Sequence, residues 1–219
     1  MKVGVLFSGG KDSCLALHKY LKAGGKVDCL LSIMPKNKDS FMFHSPFLNL
    51  LKKQAEMLNL PLVIQETLGE EDKELNDLQK LIKKSRVDKI IIGGIKSNYQ
   101  GKRIKEVCNK LGVEVEAPLW NYNANMLWDE LLNEKFKIVI VKIASEGLSR
   151  EFIGRIVDNR LLNKIKKLAG KYGFRLDFEG GDAETSVLWM PGFKKEIKID
   201  FTIESEDKYR HFIKIKEIK

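Results

Sequence analysis

Residues 3–14 read Val3-Gly4-Val5-Leu6-Phe7-Ser8-Gly9-Gly10-Lys11-Asp12-Ser13-Cys14. Val3, Val5, Leu6 and Phe7 make an apolar run of the length of a short buried strand. The run stops at Ser8-Gly9-Gly10, and Leu15, Leu17, Tyr20 and Leu21 then recur at helical spacing. The order is strand, glycine-rich turn, helix N-terminus. Glycines let a backbone approach an anion closely and take conformations closed to other residues. The unpaired N–H groups and positive dipole end of a helix favour phosphate at such a place. Ser8 and Ser13 add hydroxyl donors, and Lys11 adds a cation. The stretch reads as a phosphate cradle, with Lys11 and Asp12 exposed at the turn.

The cradle is not a Walker A loop, which needs Gly-Lys followed directly by Ser or Thr; here Asp12 follows Lys11. The string SGGKDS resembles instead the PP-loop of ATP pyrophosphatases, enzymes that split ATP into AMP and pyrophosphate. The competing reading is an ordinary strand-to-helix turn.

Outward from this turn, the 219 residues suit one large domain or two small ones. With 43% hydrophobic residues the chain can bury a sizeable core. No apolar stretch approaches the ~20 residues of a membrane span, and no signal-peptide layout is seen. The expectation is a soluble, cytoplasmic protein without a membrane partner. Cys14, Cys29 and Cys108 form no C-x-x-C pair, and His18, His44 and His211 are scattered. Neither a zinc knuckle nor a redox pair is suggested. The 39 basic and 30 acidic residues leave a net charge of +9. That excess reads equally as a solvated basic surface or as a sign of an RNA or ribosome-associated partner. Abundant Lys, Glu and Ile hint at a thermophilic source.

Strand-like runs at 2–7, 27–34, 61–66 and 88–95 alternate with helix-like stretches at 11–23, 46–59, 71–84 and 99–111. A short strand at 113–115 precedes Pro118. This alternation predicts an α/β fold with a doubly wound parallel sheet. Ligands of such sheets bind beyond the carboxyl ends of the strands. The ends at Ser8, Met34 and Ile95 therefore face one cleft, where Met34 backbone can read an adenine edge. Near residue 120 the character changes, giving expected domains of 1–120 and 121–219. The second carries helices at 124–133 and 158–169, an apolar run at 136–143, the loop Glu179-Gly180-Gly181-Asp182-Ala183-Glu184-Thr185, and two final strands. The first of these alternates strictly through Ile197, Ile199, Phe201 and Ile203. Trp120 and Trp128 read as core residues.

Further motifs are Ile33-Met34-Pro35 with Asp39-Ser40 and Phe43-His44, Gly93-Gly94-Ile95 with Ser97, Tyr99-Gln100 and Arg103, and Ala117-Pro118-Leu119-Trp120. Glu146-Gly147-Leu148 with Gly154-Arg155 and the EGGDAET string follow. In this order they resemble the diphthine–ammonia ligase (diphthamide synthetase) family of archaea and eukaryotes, over about residues 2–190. The resemblance implies a HUP-like PP-loop domain with a smaller C-terminal α+β domain. It implies amidation of diphthine, a modified histidine of translation elongation factor 2, to diphthamide. ATP and Mg2+ are the implied cofactors, and an archaeal source is expected. One departure stands out: the family's EGG, Glu, aromatic, ET pattern has Asp182 and Ala183 at its middle positions.

The resemblance implies ATP contacts from Ser8, Gly9, Gly10, Lys11, Asp12, Ser13, Met34 and Gly94. Lys11, Asp12 and Glu184 are the implied catalytic residues, with Asp12 a candidate Mg2+ ligand or, alternatively, a first-turn acid of its helix. Substrate contacts fall to His44, Ser97, Tyr99, Gln100, Arg103, Glu179, Gly180, Gly181, Glu184 and Thr185. For Arg103 a surface position one turn into a helix is the competing reading, and for the acidic loop a turn joining two strands. The partners implied are the diphthine form of elongation factor 2 and ammonium. Nucleic acid is not required, and a homo-oligomer is allowed. A PP-loop enzyme acting on tRNA and a non-catalytic nucleotide-binding module are the alternatives; the missing cysteine pair speaks against tRNA thiolation.

Overall fold

Val3–Leu6 (β1) is a strand buried along its whole length, in a computed structural model that describes residues 1–35, 48–68, 71–94 and 98–219. Its neighbours are Cys29–Pro35 (β2) and Lys89–Ile91 (β4), with Leu62–Thr67 (β3) and Glu114–Glu116 (β5) at the edges. The sheet order is β3-β2-β1-β4-β5 and every pairing is parallel. Strands covered on both faces need continuous apolar runs rather than alternation, which is what Val3–Phe7 and Ile90–Ile92 supply.

The helices between these strands are Lys11–Lys22 (α1), Leu48–Leu58 (α2), Glu71–Ser85 (α3) and Asn98–Lys110 (α4). Right-handed crossovers place α1 and α2, which step from β1 to β3, on one face. They place α3 and α4, which step toward β5, on the other. In keeping with this, Leu78, Leu81 and Ile82 of α3 and Ile104, Val107 and Cys108 of α4 share one core cluster with Leu31, Ile33 and Ile90. The strand order reverses between β1 and β4. That reversal opens a crevice at the carboxyl ends of those two strands.

The fourth strand is shorter than the sequence suggests. Ladder pairing ends at Ile91, with one further bond from Ile92 N–H to Glu116 C=O at 2.9 Å. Gly93 and Gly94 then leave the sheet, and Ile95 lies outside the described residues. Two successive glycines have no side chains to pack on a pleated surface.

Residues Met1–Asn121 and Tyr122–Lys219 form two compact units. In the second, Lys137–Ala144 (β6), Ala183–Trp189 (β7), Ile199–Ser205 (β8) and Arg210–Ile218 (β9) build an antiparallel sheet in the order β7-β6-β9-β8. Ala124–Asn133 (α5) and Asn159–Tyr172 (α6) accompany it. Asn123 caps α5 by accepting from Met126 N–H, and Asp158 caps α6 by accepting from Leu161 N–H at 2.7 Å. Ile197 is buried, but Ile199, Phe201 and Ile203 are only half-buried because β8 is an edge strand. Trp128 is fully buried as expected, whereas Trp120 is 39% exposed, with Lys105 Nζ 5.1 Å from its ring centroid. A flat ring capped by a lysine needs no burial to be held.

Candidate active site

The turn between β1 and α1 closes on itself. Phe7 N–H extends the ladder to Leu31 C=O at 2.8 Å. Gly9 then takes a left-handed conformation at φ +74°, which costs an L residue energy and glycine none. Ser13 Oγ donates to Gly10 C=O at 3.1 Å and lies 3.2 Å from Ser8 Oγ. Ser8 N–H and Gly10 N–H are directed at these two hydroxyls, at 3.3 and 3.4 Å. Gly10 is the N-cap of α1 and supplies no side-chain cap. The start of α1 therefore keeps its partial positive charge with no side-chain cap to offset it.

Lys11 departs from the expected exposure: it is only 3% exposed, and its Nζ lies 2.8 Å from Asp12 Oδ2. A long alkyl stem can be covered while its ammonium finds a carboxylate, so the pair is part of the loop rather than a fringe of it. Asp12 sits in the first turn of α1, beyond the cap.

The exit of β4 closes the other wall of the crevice. A Cβ on Gly93 would lie 2.7 Å from Asp12 C and 2.7 Å from Ser13 N. Only glycine lets the chain pass this close to the first turn of α1. Gly94, one residue on, faces open space. Met34 lies near the end of β2, on the same edge of the sheet as the turn. Parallel pairing thus brings Ser8–Ser13, Met34 and Gly94 to one edge. Tyr99, Gln100 and Arg103 fall in the first two turns of α4, while His44 and Ser97 lie outside the described residues.

In the second unit the EGGDAET string divides. Residues 173–182 join α6 to β7, so the turn links a helix to a strand and not two strands. Glu184 and Thr185 are not loop residues; they belong to β7. Glu184 stands opposite Lys142 of β6, and the two side chains pair at 3.2 Å. The turn itself is organised around Arg175. Its Nε and a terminal nitrogen donate to both oxygens of buried Asp177 at 2.9 and 2.8 Å. Glu179 lies 3.4 Å away, and Asp182 accepts from Arg175 N–H at 3.1 Å. The fork on Asp177 raises the Arg175 pKa above its ordinary value. Phe178, at φ +62°, packs edge-on against Trp128, whose indole N–H donates to Leu176 C=O at 2.9 Å. The turn is thus anchored to the core of its own unit.

Both units are matched by known protein families along nearly their whole length. The family model described as Diphthamide synthase N-terminal domain matches residues 1–115, and Diphthamide synthase C-terminal domain matches 123–219. The diphthine–ammonia ligases of Bos taurus and Homo sapiens are each 32% identical over 223 residues, covering 91% of this chain and 83% of theirs. The one from Danio rerio is 31% identical, covering 95% and 91%.

The chain belongs to the diphthine–ammonia ligase family.

It is accordingly an enzyme, a ligase that forms a C–N bond. These relatives are eukaryotic and lend no support to the expected archaeal source. A solved structure titled a predicted subunit of tRNA methyltransferase, from Methanocaldococcus jannaschii, covers 90% of this chain and all of its own. Its identity is 18% and its TM-score 0.46, too loose a likeness to carry an argument.

In a ligase that takes up nitrogen, the thiols matter. Cys14, Cys29 and Cys108 are all free and buried. Burial pushes the Cys14 and Cys29 thiols up, and the Cys108 thiol to about 11. A thiol so held is protonated and inert as a nucleophile. Among the described residues no three His, Cys, Asp or Glu side chains are grouped to hold a metal, and no helix is long and apolar enough to cross a membrane.

Three residues of these turns escape a reading of the sequence. Gly93 is visible as a glycine but not as the contact of α1. Arg175 precedes the acidic string and gives no motif. Gln54 of α2 is 1% exposed and donates from Nε2 to Gly9 C=O at 2.9 Å. Its one sequence signal is a polar residue inside the buried stripe Leu50, Leu51, Ala55, Met57.

Proposed function

We propose that this ligase uses ATP to activate the carboxylate of diphthine on translation elongation factor 2 and passes it to ammonia, giving diphthamide. The observation that carries the reading is the Ser8–Ser13 turn at the strand-order reversal of a parallel sheet, which holds a buried lysine and runs into a helix start. A carboxylate oxygen is a poor leaving group. Attack of that oxygen on the α-phosphorus forms an acyl-adenylate as the bond to the pyrophosphate oxygen breaks. Ammonia then attacks the acyl carbon, loses a proton, and expels AMP. Residues that hold phosphates in line and offset their charge suffice for the first step.

In this reading residues 1–120 bind ATP. Ser8, Gly9, Gly10, Lys11 and Ser13 hold the phosphates, and Met34 and Gly94 line the nucleotide. Asp12 is the protein's carboxylate for Mg2+. One carboxylate beside hydroxyls and phosphates suits that ion, which keeps several waters and needs no all-protein cage. The ion supplies charge neutralisation on the phosphates.

Residues 121–219 take the diphthine side chain, with Glu179, Gly180, Gly181, Glu184 and Thr185 as its contacts. From the first unit, His44, Ser97, Tyr99, Gln100 and Arg103 are the substrate contacts this reading assigns. The enzyme works in the cytoplasm, where elongation factor 2 is met. Free ammonia is the nitrogen donor, because release of ammonia from glutamine needs an activated nucleophile and the three thiols are buried and protonated.

The test is reconstitution with diphthine-bearing elongation factor 2, ATP, and either ammonium chloride or glutamine. AMP, pyrophosphate and the amide are expected with ammonium alone. ADP and orthophosphate would overturn the adenylate, and efficient use of glutamine by the purified chain would overturn the nitrogen source.

A further inference from the structure

We infer that Gln54 is a positioning residue that locks the Gly9–Gly10 peptide in its anion-binding orientation; this rests on the nucleotide reading of the turn. Gln54 comes from the middle of α2, far from the turn in sequence, and its side chain is buried beneath it. Its Nε2–H donates to Gly9 C=O at 2.9 Å. The amide also fills the space a side chain on residue 9 would take: a Cβ there would lie 2.0 Å from Gln54 Oε1.

In a trans peptide the carbonyl and the following N–H point in opposite directions. With Gly9 C=O held down toward α2, Gly10 N–H is turned the other way, to the side of Ser8 Oγ, 3.4 Å off. Gly9 has no side chain to resist rotation of this peptide, and glycine populates either hand of backbone freely. A rotated peptide would present a carbonyl oxygen to the phosphates in place of an N–H. A buried donor on the inner side selects against that state. The glutamine thus acts on the ligand through the peptide, without touching it.

The experiment measures binding of an ATP analogue with an α,β-methylene bridge to the full chain, across a pH series, for wild type, Gln54→Leu and Gln54→Glu. Gln54→Leu removes the donor and should weaken binding roughly ten-fold at every pH. Gln54→Glu replaces the donor with a carboxylate that repels Gly9 C=O. It should bind worse still at about pH 8. It should then recover toward wild type by about pH 6, because a buried carboxyl protonates early and regains an O–H donor. All ratios are taken to wild type at the same pH, which removes titration of the phosphates. A structural role alone would lower the unfolding midpoint without restoring binding on acidification. If Gln54→Leu does not fold, the Gln54→Glu profile decides. Wild-type affinity in both variants, or a flat Gln54→Glu profile, overturns the inference. Failure of the wild type to bind the analogue overturns instead the nucleotide reading beneath it.

Discussion

Gly9 and Gly181 have nearly the same left-handed backbone, at φ +74° and +82°, yet the turns around them differ in charge and in surroundings. The first leads into α1, so a helix start adds partial positive charge to the Lys11–Asp12 pair. The second leads into a strand and gathers Asp177, Glu179 and Asp182 around one cation, Arg175. Space differs as well. A side chain at residue 9 would run into Gln54, whereas one at residue 181 would meet nothing within 4 Å. A pair of glycines therefore sets the path of the backbone. The sign of what it can hold comes from the element that follows and from the charges folded in beside it.

The strongest way to break this contrast is Lys11→Ala. If Lys11 holds the phosphates as proposed, loss of this buried cation should slow adenylate formation by roughly a hundred- to a thousand-fold. The fold should persist, because Asp12 keeps access to water with 28% of its side chain exposed. Pyrophosphate exchange into ATP, with circular dichroism as the control, measures both. Glu184→Gln is its counterpart in the second unit: amidation should fall while affinity for the nucleotide analogue stays unchanged. Equal loss of nucleotide affinity would show that the two units do not divide the work as proposed.

Next in size is Gly93→Ala. The new methyl would meet backbone atoms of Asp12 and Ser13, which cannot swing aside. A loss of about 1–3 kcal/mol in urea unfolding is expected, together with weakened nucleotide binding. Asp177→Asn should cost a similar or smaller amount, about 1–2 kcal/mol, since Arg175 remains half-exposed and can turn to water. Unlike Gly93→Ala, it should leave nucleotide affinity intact. The smallest effect belongs to Gly181→Ala, where only the left-handed backbone is penalised, by about 1 kcal/mol. A larger loss there would mean that the acidic turn is packed more tightly than its open surroundings indicate.

The first turn was readable because its backbone signals and its chemistry sit in one contiguous stretch. Strand, glycines, hydroxyls and helix all fall within Val3–Ser13, and the parallel alternation around it follows from apolar runs that local periodicity reports. The residues that hold the turn were not readable in that way. Gln54 and Gly93 arrive through the sheet topology, and neither differs locally from an ordinary helix glutamine or loop glycine. The acidic string was half misread for a related reason. Glu184 and Thr185 follow Gly180, Gly181 and Asp182, whose turn signal masks a strand start, and β6 pairs with them and makes them strand. Arg175 lies just outside the motif, so the internal counter-charge of the turn was missed. Trp120 and the buried Lys11 show the same limit in reverse: burial depends on neighbours that composition does not name.

The most direct test of the central claim follows the oxygen that changes hands. Diphthine-bearing elongation factor 2, labelled with oxygen-18 in its carboxylate, is allowed to react with ATP and ammonium on the purified chain, and the nucleotide product is weighed by mass spectrometry. Attack by the carboxylate on the α-phosphorus, followed by displacement with ammonia, predicts one labelled oxygen in AMP. Label in orthophosphate beside unlabelled ADP would contradict the acyl-adenylate and the role of the Ser8–Ser13 turn in forming it.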